Sequence, residues 1–348
     1  MSPSPLTRSA IARERAAGAV VRVGVIGAGF AGSTHARSLA GLPMAKVVAV
    51  AAETIAEATP LANELGVRVA PDALSLCADD DVDLVVVASP TDLHAMHTIA
   101  AANAGKDVFC EKPLARSMAQ AEAMLEACAK AGVTLGVGHV VRHFPEYIRA
   151  HELMRGGAIG RPVLATLTRG SFPVANATPW YRDPVRSGGV VLDLMLHDLD
   201  TLRWWFGEPV RVYARSLGLD ARGADYALAT IRFADGLIAH VEASWVEHAG
   251  FRTAFELCGD GGMLSHDSRA TMPLRVQSSV GPSSLAVMPI VTSHESPYRL
   301  QLRDFLARLD RGDAPLVDGV EAYRSLSLAL AAVSSAERGA PVSWSRPA

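Results

Sequence analysis

Long apolar runs are missing from this chain. Each hydrophobic stretch is broken by charge before it reaches the ~20 residues of a membrane span, so no membrane partner is expected. Basic blocks are missing as well. Lys and Arg number 33 against 36 Asp and Glu, a net charge of −3, and no cluster stands out that would draw nucleic acid or an anionic surface. Cysteine is scarce, and Cys77, Cys110, Cys128 and Cys258 form neither a CxxC pair nor a spacing with histidines. That excludes a zinc site and a disulfide framework from the reading and points to a reduced, cytoplasmic protein. Residues 1–19 carry Pro3, Pro5, Arg8 and Arg13 without a continuous apolar stretch, which reads as a loose arm rather than a signal peptide. No fixed-period repeat is present.

What is abundant is core material. With 348 residues, 49% of them hydrophobic and 20% charged, the chain is expected to form two globular domains. The first announces itself at residues 20–27, VVRVGVIG, a β-branched run of the kind buried on both faces of a parallel sheet. It enters Gly27-Ala28-Gly29-Phe30-Ala31-Gly32 and then a helical pattern. A GxGxxG between strand and helix gives room for a tight turn, close backbone approach to a pyrophosphate and close helix–strand packing, with the helix N-terminus offering free N–H groups to the phosphates. Gly27, Gly29, Phe30, Ala31 and Gly32 are therefore candidate dinucleotide contacts. The next strand ends at Ala52-Glu53, where an acidic residue binds the adenosine ribose. Glu53 suits those hydroxyls and would repel a 2′-phosphate, which favours NAD over NADP without excluding NADP.

Helix and strand then alternate, as a doubly wound sheet requires. Two strands, one at 84–88 and one ending at Cys110, run into segments placed where open α/β sheets bind ligands. The first, Ser89-Pro90-Thr91-Asp92-Leu93-His94, puts Ser89, Thr91 and His94 near a cofactor, with helix capping or simple packing as their plainer roles. The second throws out Glu111 and Lys112 at the same edge, with Pro113 stiffening the turn.

Residues 187–207, SGGVVLDLMLHDLDTLRWWFG, read as a buried helix that nevertheless carries Asp193, His197 and Asp200 on one stripe. By itself this is either a core histidine satisfied by its neighbour or a catalytic pair. After it, the strand pattern changes to consecutive runs joined by hairpin signals such as Ala234-Asp235-Gly236, and residues 276–289 read as loop. The fold expected is α/β: an N-terminal Rossmann doubly wound parallel sheet at 20–141, then an α+β domain with a mostly antiparallel open sheet at 142–348.

These pieces together resemble the Gfo/Idh/MocA oxidoreductases. The resemblance is carried by GVIGAGFAG, by the block ending FCEKPLA, by GHVVRHFPEY, by SGGVVLDLMLHDLD and by the C-terminal LVDGVEAYRSLSLALAAV, which span nearly the whole chain. It implies that Lys112 polarises a substrate hydroxyl near the nicotinamide, that Asp193 and His197 form the catalytic pair with His197 as base, and that Arg142 contacts substrate hydroxyls. It also implies a small polyol or sugar as substrate, oxidised at a secondary hydroxyl, and a homodimer or homotetramer formed through the C-terminal sheet. Met195 stands where a small residue is usual, and Ala52 where Asp is usual. Two other uses of the same fold stay open: a non-catalytic cofactor-binding regulator, and a glycoside-cleaving enzyme with tightly held NAD.

Overall fold

The computed structural model describes residues 18–172, 179–218, 223–270, 274–278, 284–287 and 295–347, so the expected arm at 1–19 lies outside the described residues except for its last two. The chain divides into two compact units, Met1–Val140 with Glu295–Arg324 and Val141–His294 with Ser325–Pro347.

In the first unit β1 (Val21–Ile26), α1 (Phe30–Ala40), β2 (Ala45–Ala51), α2 (Ile55–Leu65), β3 (Arg68–Val69), α3 (Ala73–Cys77), β4 (Leu84–Val87), α4 (His94–Asn103), β5 (Asp107–Glu111), α5 (Met118–Ala131) and β6 (Leu135–Gly138) follow in turn. The strands lie parallel in the order β3-β2-β1-β4-β5-β6, so the winding reverses between β1 and β4. Valines of β1 and β4 are fully buried, as the near-continuous apolar runs require.

The second unit opens with α6 (Pro145–Arg155) and β7 (Pro162–Gly170). The helix expected over 187–207 is present from 189 to 206, with a wide π turn (Val191–Met195) leading into α8 (Leu196–Phe206), and a short α7 (Pro184–Ser187) stands apart before it. The break has a cause in Gly188 and Gly189, both at positive φ (90° and 65°), where the backbone turns before the π segment begins. The Val190 N–H is held there at 2.9 Å by the buried Asp225 carboxylate, which sits where a Cβ on Gly189 would intrude.

Strands β8 (Pro209–Ser216), β9 (Tyr226–Phe233), β10 (Ile238–Ser244), β11 (Arg252–Gly259), β12 (Gly262–Asp267), β13 (Leu274–Ser278) and β14 (Ser284–Val287) follow, and the last two correct the expectation of a loop over 276–289. The chain ends with α9 (Pro297–Arg311), α10 (Gly319–Arg338) and β15 (Val342–Ser343). The sheet runs β14-β13-β12-β11-β7-β10-β9-β8-β15 and is antiparallel except where β7 and β10 lie parallel. Alternate residues of β9 and β10 are buried, on the face where the π turn and α8 pack against β7 and β10.

The second domain is not the single stretch 142–348. Leu302, Phe305 and Leu306 of α9 are buried in the first unit's core with Val23, Val50 and Phe109, because α9 returns to pack on α1.

Candidate active site

Three glycines of the first unit do three different jobs. Gly27 has φ 107°, and a Cβ there would strike the Ala88 carbonyl. A Cβ on Gly32 would strike the Gly27 carbonyl, so this glycine lets α1 close on the turn. Gly29 is the opposite case: nothing lies within 4 Å of where its Cβ would stand. That open position is at the N-cap of α1, which has no side-chain cap and no acidic residue in its first turn. Free amides and a positive dipole end thus face space with no competing carboxylate, which is what a pyrophosphate needs. Phe30 is 78% exposed on the same turn, and Glu53 is exposed just past the end of β2. These features fit a bound dinucleotide.

At the β4 and β5 ends the side chains turn inward more than the sequence suggests. Ser89 is buried, with its hydroxyl 2.9 Å from His97 Nδ1, and Thr91 is buried in a 3-10 turn that carries no side-chain cap. His94 is 1% exposed, with Nδ1 2.8 Å from the Pro113 carbonyl and Nε2 3.0 Å from the Ser89 carbonyl. Burial lowers its pKa against the pull of both carbonyls, so the ring is neutral and donates to one of them. Both ring nitrogens of His94 thus face carbonyls of its own unit, one of them through a hydrogen bond.

Glu111 is not thrust out either. It is buried, with Oε1 2.6 Å from His35 Nε2 and Oε2 accepting the Lys112 N–H at 3.0 Å. Burial pushes this carboxyl up, but the His35 hydrogen bond and charge, with Lys112 beyond, outweigh it and hold the pKa below the ordinary value. Lys112 itself is half-buried at the strand end and joined to Pro113 by a cis peptide.

In the second unit, Asp193 lies in the π turn and His197 in the first turn of α8, 9% and 8% exposed. The Tyr181 hydroxyl donates to Asp193 Oδ1 at 2.6 Å, a partner that no spacing in the sequence signals. Asp200 leads elsewhere. Its two oxygens accept from Arg142 Nε and Nη2 at 2.9 and 2.8 Å, and Oδ1 also accepts from the Ser325 hydroxyl. Arg142, 5% exposed and 5.9 Å over the Trp204 ring, is thus held through Nε and Nη2 by a carboxylate of its own unit. Met195 is fully buried, so it presents no side chain to a ligand.

Asp198, between these residues, is paired with Arg169 of β7 through bonds of 2.9 and 2.7 Å. Burial works against the Arg169 charge, but Asp198 and the Tyr147 hydroxyl beside it raise the guanidinium above its ordinary value. The pair is buried ballast beneath the site. A cavity of about 470 Å³ lies elsewhere on this unit, among Thr166, Thr168, Arg252, Glu256, Ser265 and Asp267, and none of the candidate residues lines it.

An open phosphate cradle at the switch of a parallel sheet defines a Rossmann-type dinucleotide-binding protein. The chain belongs to the GFO/IDH/MocA family: residues 21–139 match its "Oxidoreductase family, NAD-binding Rossmann fold" and residues 147–265 its "GFO/IDH/MocA C-terminal domain". It is similar to the scyllo-inositol 2-dehydrogenase (NAD(+)) of Bacillus subtilis, 29% identical over 92% of this chain and 96% of that one. It is also similar to the inositol 2-dehydrogenase of Rubrobacter xylanophilus, 31% identical over 92% of each. Among solved structures, levoglucosan dehydrogenase in complex with NADH and L-sorbose shares the fold, with a TM-score of 0.86 at 24% identity over 94% of this chain and all of the other. The chain is an NAD-dependent oxidoreductase, an enzyme rather than a regulator that only binds cofactor.

Proposed function

We propose that this enzyme oxidises a secondary hydroxyl of a cyclitol or sugar, inositol-like, to a ketone. The observation that carries the reading is that Asp193 and His197, four residues apart in the second unit, are each nine-tenths buried, with a tyrosine hydroxyl on the carboxylate. NAD supplies the hydride acceptor when bound. In this reading His197 takes the hydroxyl proton, imidazole being the side chain that serves as a base near neutrality. Lys112 presents positive charge to the developing alkoxide. Asp193, oriented by Tyr181, fixes the imidazole or an adjacent substrate hydroxyl. Arg142 acts as a positioning residue through Asp200 instead of touching substrate.

A cytoplasmic location is part of the proposal, and the four free cysteines are compatible with it. Among the described residues no helix is long and apolar enough to cross a membrane. A homodimer is proposed through the sheet face that carries Tyr213, Leu228 and Ile238, each more than a third exposed.

The test is direct. NAD is mixed with myo-inositol, scyllo-inositol and a set of aldoses, and the absorbance of reduced nicotinamide is followed. Reduction with at least one cyclitol or sugar is expected. His197→Ala is expected to lower kcat by about 100-fold or more while NADH affinity stays within about twofold. A protein that binds NADH but oxidises none of these alcohols, or an H197A variant with unchanged turnover, sinks the proposal.

A further inference from the structure

Two buried groups of the first unit have no part in the chemistry just described, and they meet at Lys112. Glu111 is the last residue of β5, and its carboxylate folds back instead of pointing into solvent. His35 lies on α1, three residues beyond Gly32, fully buried with its ring edge-on to Phe109 (centroids 5.4 Å) and Tyr298 (5.8 Å). At 2.6 Å from a carboxylate that can only accept, His35 Nε2 carries the proton. The other Glu111 oxygen holds the backbone N–H of Lys112.

The fold has made room for this arrangement. Gly138 of β6 stands opposite Glu111 in register, and a Cβ there would lie 2.8 Å from Oε1. Burying a carboxylate costs several kcal/mol unless it is hydrogen-bonded, so both of its oxygens are engaged. On the far side of the same turn, His94 Nδ1 lies 2.8 Å from the Pro113 carbonyl.

We propose that Glu111, held by His35, is a positioning residue for Lys112, tying the Lys112 backbone to the helix whose N-terminus cradles the dinucleotide. The lysine is then aimed by the same helix that seats the cofactor. This rests on the reading of Lys112 as the group that stabilises the alkoxide. A pair that merely stapled α1 to the sheet would contribute to stability and leave turnover alone.

The experiment uses the full chain with NAD and myo-inositol, together with amide hydrogen exchange at Lys112, which needs no substrate. His35→Ala is expected to lower kcat by about tenfold, with KM and the NADH Kd, read by tryptophan fluorescence, within about twofold. Lys112 amide exchange speeds up in the same variant. His35→Gln, whose amide reaches the same carboxylate, restores both. Glu111→Ala combined with Lys112→Met is no slower than Lys112→Met alone, because the first residue acts through the second. Should H35A not fold, Glu111→Gln carries the comparison, with kcat down by about threefold or more as the charge-assisted bond is lost.

Wild-type turnover in H35A, or in E111Q where H35A does not fold, overturns the proposal. So do unchanged Lys112 exchange, a loss that falls on the NADH Kd alone, and multiplicative effects in the double variant. Full turnover in K112M sinks the earlier reading of Lys112, whereas a slow K112M beside a fast H35A sinks this one only.

Discussion

Gly29 and Gly32 are three residues apart in one motif and are predicted to fail differently when mutated. A methyl at 29 enters open space at the N-cap of α1, where the pyrophosphate would lie. Gly29→Ala should therefore fold normally and lose about tenfold or more in NADH affinity. A methyl at 32 meets the Gly27 carbonyl inside the turn. Gly32→Ala should cost several kcal/mol, on the order of a severe overpacking change, and lower Tm before any effect on affinity can be read. Thermal melts beside NADH titrations separate the two, and equal Tm losses in both variants would contradict the assignment. The sequence motif alone treats these glycines alike; the space around each tells them apart.

At the scale of elements, the π turn and α8 together turn three carboxylates in three directions. Asp193, in the π turn before it, meets Tyr181, Asp198 meets Arg169 on β7, and Asp200 meets Arg142 and Ser325. A regular helix over 187–207 would keep Asp193, His197 and Asp200 on one stripe; the wide turn offsets Asp193 from the other two, which stay three apart on α8, and Asp200 is engaged by its own partners, Arg142 and Ser325. Asp198 is the structural member. Removing its charge leaves Arg169, 1% exposed, without compensation. Asp198→Asn is expected to destabilise the protein by about 3–5 kcal/mol in urea unfolding, with kcat per folded molecule little changed. A loss of kcat at full stability would place Asp198 in the chemistry instead. Arg169 has no sequence signal of its own, since a lone arginine in a β-strand reads as surface. Glu111 could have been anticipated from the Gly136-Val137-Gly138 alternation in β6, which clears one face of the strand for Phe305 and for the Glu111 carboxylate.

For the whole molecule, the return of α9 to the first unit means that the Rossmann sheet is not self-sufficient. Leu302, Phe305 and Leu306 each bury an apolar side chain worth about 1.5–3 kcal/mol, together a large share of the ~5–15 kcal/mol that stabilises a domain. The fragment 18–140 by itself should show no cooperative thermal transition, and a sharp melt with NADH binding would refute this. Acid supplies a second test. Burial, with neighbouring His94 adding to it, lowers His97 from its ordinary 6.5 to about 4. Between those values the unfolded chain binds more protons than the folded one, so stability falls as pH drops through the window and is unaffected by this group above it. The contribution is about 3 kcal/mol. His97→Asn should flatten the loss of stability between pH 6.5 and 4, measured by denaturant unfolding.

The sequence by itself determined the local grammar: a β-branched run into GxGxxG, helix and strand alternating as a wound sheet demands, then period-two strands joined by turns. These follow from hydrophobic periodicity and glycine stereochemistry, which act over a few residues and are written into them. Which buried charges pair was decided only by the tertiary structure. Arg142 with Asp200, Arg169 with Asp198 and His35 with Glu111 are separated by 58, 29 and 76 residues. Their partners are chosen by desolvation, which makes any unpaired member too costly to keep, and that penalty exists only once the chain has closed around it.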